Sequence, residues 1–260
     1  SARLPATRSR RLLLLFSGLV IAGALLRLLQ LAWQPLWWDE GYSVYFATEP
    51  LGRMIELTAR DIHPPLYYSL LHGWFQLLGA TDPVTARLLS VLWGILALAL
   101  IAGLARALAP RRPRVALLAL LMLAISPMHL YYSQEIRMYG QAVALGMAAS
   151  WALWLALHTR TAQRRLLAMY GLLALLGLYT LYYFAFLLLG HFLWALWRWR
   201  RSPPTLRALV VTGVAIMAGF LPWLLYAGGH LVGYVGGKVA SDQDLPLDPL
   251  TYLLRHATAF

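Results

Sequence analysis

The sequence predicts an all-α polytopic membrane protein with about seven transmembrane helices and short interfacial helices in a long first external loop. Three observations carry this reading. Of the 260 residues, 60% are hydrophobic and only 12% are charged, against about 25% charged in a soluble domain. Apolar stretches recur near residues 12–33, 88–109, 115–131, 138–157, 166–197 and 206–226, and a membrane helix needs about 20 such residues. The connections between the stretches alternate in charge: 1–11, 106–114, 158–165 and 198–207 hold 15 of the 22 basic residues and no acid.

The first stretch follows Arg8, Arg10 and Arg11, contains Arg27 and has no small-residue cleavage site. It reads as a retained anchor rather than a signal peptide. Arg27 lies six residues inside its outer end, within snorkelling reach of the interface, and is placed here as a supporting residue. The next segment, 34–87, is rich in Trp and Tyr, which suit the headgroup layer. Its apolar pattern predicts interfacial helices near 40–48, 50–60 and 64–79. Three spans follow, at 88–109, 115–131 and 138–157. The stretch 166–197 is too long for one comfortable span and is read as two helices that break near Tyr179 to Tyr183. A single helix there would carry Arg198, Arg200 and Arg201 to the acidic side. The span at 206–226 completes a seven-helix module over 1–226, and 227–260 reads as an external loop or lid, the start of a further region.

All ten acids fall in the connections opposite the arginines. By the positive-inside rule the N-terminus is cytoplasmic and the acids face outward, as in a multi-pass membrane protein. The net charge of +12 is therefore carried by short loops against the bilayer and implies no nucleic acid partner. With no Cys there is no disulfide or thiolate metal site. Gly233 to Lys238 resembles a phosphate loop only superficially, because Val232 and Val239 stand where Gly and Ser or Thr are required. No nucleotide, metal or other cofactor is implied.

The chemistry-bearing residues lie on the acidic side. Trp37-Trp38-Asp39-Glu40 sets two carboxylates beside indoles at the outer end of the first span. Successive helical residues point about 100° apart, so one should face a substrate and the other a partner; an N-terminal cap is the bland reading. In Asp61-Ile62-His63-Pro64-Pro65 the proline pushes its predecessor toward extended backbone, which places Asp61 and His63 on one side, and lets Pro64 open a helix. The pair holds a bend, faces substrate or contributes to a metal site, for which two ligands alone are a weak signal. Between the third and fourth spans, Glu135 precedes Arg137 and Tyr139. An arginine at a helix start is suited to an anion, and its fork to phosphate; a contact to Glu135 is the simpler alternative. Lys238 adds a cation to the glycine-rich segment.

These residues resemble polyprenyl-phosphate-sugar-dependent glycosyltransferases of the GT-C class, family 39, which includes the protein O-mannosyltransferases and the aminoarabinose transferases. The matching pieces are Arg27, Trp38-Asp39-Glu40, Asp61-x-His63-Pro64-Pro65-Leu66-Tyr67, Arg87-Leu88-Leu89-Ser90, Ser133-Gln134-Glu135-x-Arg137-Met138-Tyr139 and Tyr179-Thr180-x-Tyr182-Tyr183, in family order. The resemblance implies an inverting glycosyltransferase that moves a sugar from a polyprenyl-phosphate donor to a hydroxyl of a protein, lipid or glycan acceptor. Asp39 and Glu40 become the catalytic carboxylates, with Asp39 as base. Arg137, His63 and Lys238 become the donor phosphate-binding cations, and Asp61, Glu135, Tyr139 and Arg27 their support. Family members continue through further spans. A polytopic lipid or solute transporter or flippase, and a non-catalytic scaffold, are the competing readings; the former usually carries ionisable groups at the bilayer midplane, which the acids here avoid.

Overall fold

A computed structural model describes residues 6–159, 161–199 and 202–241, and the description below is confined to them. The elements are α1 (Ala6–Leu28), α2 (Trp38–Thr48), α3 (Leu51–Arg60), α4 (Leu66–Leu78), α5 (Pro83–Leu108), α6 (Pro113–Ile125), α7 (Pro127–Ser133), α8 (Tyr139–His158), α9 (Gln163–Leu178), α10 (Phe184–Trp199) and α11 (Pro203–Ser241). Their starts follow local chemistry. Asp82 caps α5 by accepting from the amides of Val84 and Thr85, and prolines occupy the first turns of α5, α6 and α7, where a missing N–H costs nothing. Gly79, at φ 65°, ends α4.

Length and apolarity qualify α1, α5, α8 and α11 as spans, and a fifth if α6 and α7 count as one rod bent by 61°. The helices α9 and α10, at 16 residues each, are about 24 Å long, shorter than a full bilayer core. They do part where the charge argument required, with residues 179–183 between them. The three interfacial helices lie within a few residues of their predicted places.

Packing is built on small residues. Helix α8 lies between α5 and α9, α1 rests on α5 and α6, and α11 rests on α9. Ala144, Ala149, Ala152 and Ala156 of α8 are fully buried, and such residues let helix backbones approach where no hydrophobic drive operates between helices. At Gly94 of α5, an added Cβ would collide with the Ser133 hydroxyl oxygen of α7. A separate cluster of Phe46, Met54, Tyr68, Leu71, Phe75, Ile136 and Met138 seals α2, α3 and α4 onto the α7–α8 connection.

Two expectations are corrected. The third span is not straight. Pro127 breaks it after Ser126, and Arg27, read as snorkelling, is instead fully buried against the break. Its guanidinium donates to the carbonyls of Gly23 at 2.6 Å, Leu123 at 3.1 Å and Ala124 at 3.4 Å, and to His129 Nδ1 at 2.7 Å. A kinked membrane helix exposes carbonyls that must find donors inside the protein, and Arg27 supplies them. The glycine-rich stretch after 227, read as the start of a loop or lid, is helical to Ser241 as the end of α11. Leu231, Val232, Tyr234, Val235 and Val239 continue the apolar run between the glycines, and glycine is well tolerated in membrane helices. Residues 242–260 lie outside the described residues.

Gly94→Leu is expected to destabilise the fold by ~1–3 kcal/mol through overpacking, seen as a lower thermal midpoint in detergent. Gly18→Leu, at a position with nothing within 4 Å of a built Cβ, leaves the midpoint unchanged. Equal midpoints for the two variants would rule out the close α5–α7 approach.

Candidate active site

The site forms where the end of α1, the start of α2, the α3–α4 turn and the α7–α8 connection meet. Helix α2 begins after Trp37, so Asp39 and Glu40 occupy its first turn and diverge. Glu40 turns inward and is 1% exposed. Its carboxylate accepts from Arg87 Nε at 2.9 Å and Nη2 at 2.6 Å, and Oε1 also accepts from the amide of Ile136 at 3.0 Å. Arg87 completes the knot by donating to the carbonyls of Leu31, Gln34 and Pro35. Glu40, taken from the sequence as catalytic alongside Asp39, therefore has the partner-facing role of the two: both its oxygens are committed to Arg87.

Asp39 turns outward. Its side chain is 39% exposed and its Oδ2 stands 3.5 Å from Arg137 Nη2. Arg137 belongs to the irregular segment between α7 and α8, two residues before α8 begins, rather than to the helix start itself. It is nearly buried, its guanidinium lies 5.8 Å from the centroid of the Tyr139 ring, and its Nε has no partner among the described residues. The amide that Glu40 holds is that of the adjacent Ile136, so one buried carboxylate fixes both the base of α2 and the register of Arg137.

His63 approaches the same Arg137 nitrogen, its Nε2 3.4 Å from Nη2, while its Nδ1 stands 3.1 Å from Asp61 Oδ2. The pairing of Asp61 with His63 matches the expectation, but the backbone route does not. Ile62 adopts φ 59°, a genuine outlier for a β-branched residue, and the His63 amide closes the turn on the Thr58 carbonyl. The end of α3 competes with extended backbone here and wins. Helix α4 starts at Leu66, one residue beyond the two prolines. The His63 ring also meets the edge of Tyr68, centroids 6.0 Å apart, and burial pushes the Tyr68 phenol above its ordinary range.

Asp39, Arg137, His63, Asp61 and Tyr139 are thus brought together. Glu135 is not paired with Arg137. It is buried, burial raises its carboxyl above the usual range despite a hydrogen bond from Tyr131, and it lines a separate polar cavity of about 90 Å³ with Gln30, Gln34 and Gln134. Arg27 lies deeper, beside His129. Lys238 is on the helical backbone of α11, and its side chain lies outside the described residues. Among the described residues no group of three or more His, Asp or Glu could hold a metal ion. Arg87 was quoted only within a motif. The signal for its role is that it is a cation at an acidic end, inside an apolar helix.

The family model described as dolichyl-phosphate-mannose-protein mannosyltransferase matches residues 62–226. Comparison with curated protein sequences gives no match. Among solved structures the fold is similar to that of the S. cerevisiae protein O-mannosyltransferase Pmt1-Pmt2 complex bound to the sugar donor, with a TM-score of 0.61 and 20% identity over 86% of this chain. The chain spans about a third (33%) of the length of that relative.

Arg87→Met is expected to cost ~3–5 kcal/mol, because it leaves the Glu40 carboxylate buried without its counter-charge. The check is thermal unfolding of detergent-solubilised protein; a midpoint like that of the unaltered chain would remove the ion pair from the account of the fold.

Proposed function

Because the chain belongs to the dolichyl-phosphate-mannose-protein mannosyltransferase family, we propose that it serves as an inverting glycosyltransferase module that moves a sugar from a polyprenyl-phosphate donor to an acceptor hydroxyl at the acidic end of the helix bundle. Mannose and a protein hydroxyl are the first pair to test. The observation that carries this reading is the contact between an outward carboxylate, Asp39, and a nearly buried arginine, Arg137.

The reaction needs a base and a cation close together. The acceptor oxygen attacks C1 of the sugar while Asp39 takes its proton. The bond from C1 to the phosphate oxygen breaks and its electron pair stays on that oxygen, so the leaving group is a lipid phosphate that needs no proton. It does need fixed positive charge where its own negative charge grows, which is preorganised electrostatic stabilisation. Arg137 supplies this charge, with His63 beside it. A single displacement inverts the configuration at C1. Tyr139, under the guanidinium, limits its movement, and Asp61 orients His63.

The buried aromatic cluster beneath α2 and α4 gives these groups a rigid base. We further propose that the arginine-rich loops face the cytoplasm and the site faces outward from a prokaryotic inner membrane. The charge asymmetry of the connections supports this orientation.

Asp39→Asn is expected to lower transfer from a radiolabelled polyprenyl-phosphate sugar by about 10²–10⁴-fold, with membrane insertion intact. Unchanged transfer would exclude Asp39 as the base. Arg137→Ala should weaken donor binding far more than acceptor binding, and the reverse pattern would overturn its phosphate role.

A further inference from the structure

Arg137 has only donors to offer, and its Nη2 lies 3.4 Å from His63 Nε2. The ring tautomer that suits both neighbours carries its proton on Nδ1, toward Asp61 Oδ2 at 3.1 Å, and presents the Nε2 lone pair to Arg137. A phosphate oxygen that comes to Arg137 Nη2 meets the His63 lone pair at close range, which is repulsive. With a proton on Nε2 the same oxygen accepts from both residues.

We propose that binding of a polyprenyl-phosphate sugar carries one proton from water onto His63, so that an imidazolium and a guanidinium hold the phosphate together. This deepens the glycosyltransferase reading and rests on it. The charge balance favours the arrangement. The donor is a phosphodiester with one negative charge. When the C1–O bond breaks, the electron pair left on the phosphate oxygen makes a monoester with a second charge. Two cations then face two negative charges. The acceptor proton goes to Asp39, so the His63 proton is not consumed in the step and returns to water when the product leaves.

The surroundings suit a change of charge at this ring. Asp61, from its own turn, faces Nδ1 and stabilises the imidazolium. Arg137, from the α7–α8 connection, faces Nε2 and opposes it until an anion lies between them. Tyr68 of α4 packs against the ring with centroids 6.0 Å apart, and Asp39 of α2 approaches the same Arg137 Nη2 at 3.5 Å. The His63 side chain is 20% exposed, so water reaches it. The left-handed turn at Ile62 and the proline after His63 restrict the backbone that carries the ring.

The test is binding of a polyprenyl-phosphate-mannose diester, whose phosphate keeps one charge from pH 5 to 9, to the protein in nanodiscs. Affinity is expected to fall as pH rises across the window in which histidines titrate, about pH 5 to 8. The slope should approach ~tenfold per pH unit, the limit for one linked proton. Calorimetry in two buffers of different ionisation heat should show proton uptake on binding. His63→Gln keeps a neutral donor and acceptor and is expected to bind with a flat pH profile. A flat profile in the unaltered protein, absent proton uptake, or a slope that survives His63→Gln overturns the proposal. A donor that fails to bind at any pH overturns the glycosyltransferase reading itself.

Discussion

The buried pair of Glu40 and Arg87 is the constraint on which the acidic end depends. Neither charge can be left alone in such a place, because an ion without its partner keeps the full desolvation cost. The pair therefore forces four pieces of chain into one register: the carbonyls that follow α1, the first turn of α2, the first turn of α5 and the amide of Ile136. Asp39 and Arg137 are each next in sequence to a residue held by Glu40 or to Glu40 itself. Their spacing is inherited from the knot rather than made by their own contact, which is long at 3.5 Å. A contact of that length leaves the carboxylate and the guanidinium open to other partners.

A second constraint runs deeper. The break between α6 and α7 turns the outer part of the third rod sideways and so brings His129, Ser133 and the α7–α8 connection over the bundle. Gln134 then donates to the carbonyls of Arg27 and Leu29, while Arg27 donates back to those of Leu123 and Ala124. The two helix ends satisfy each other's orphan groups. Arg137 is three residues beyond Gln134, so the support of the α7–α8 connection reaches down to the end of α1.

Much of this was legible in the sequence. The alternation of arginine-rich and acidic connections located the break between α9 and α10, because a single helix there would carry Arg198, Arg200 and Arg201 to the acidic side even though the apolar run is continuous. Tryptophan and tyrosine content located the interfacial helices. The divergence of Asp39 and Glu40 followed from helical geometry alone. Other features were hidden because they arise only from long-range partners. Nothing local says that the carbonyls freed at Ser126 lie against α1, so Arg27 looked like a residue bound for the headgroups. Nothing local opposes the extended reading of Ile62, which is lost to the end of α3. The glycines after 227 carry a local flexibility signal that the apolar residues between them override once α11 is extended.

The sealing of Arg27 by the third rod has a consequence for biogenesis. Its acceptors at Leu123 and Ala124 are 96 and 97 residues farther along. At a synthesis rate of about 5–20 residues per second, the first helix leaves the ribosome several seconds before the segment that supplies these carbonyls. During that interval the guanidinium has only the Gly23 carbonyl of its own helix, which favours residence beside the polar channel of the insertion machinery over release into lipid. Arrival of α6 and α7 ends the wait, so the order of lateral exit is written into one side chain.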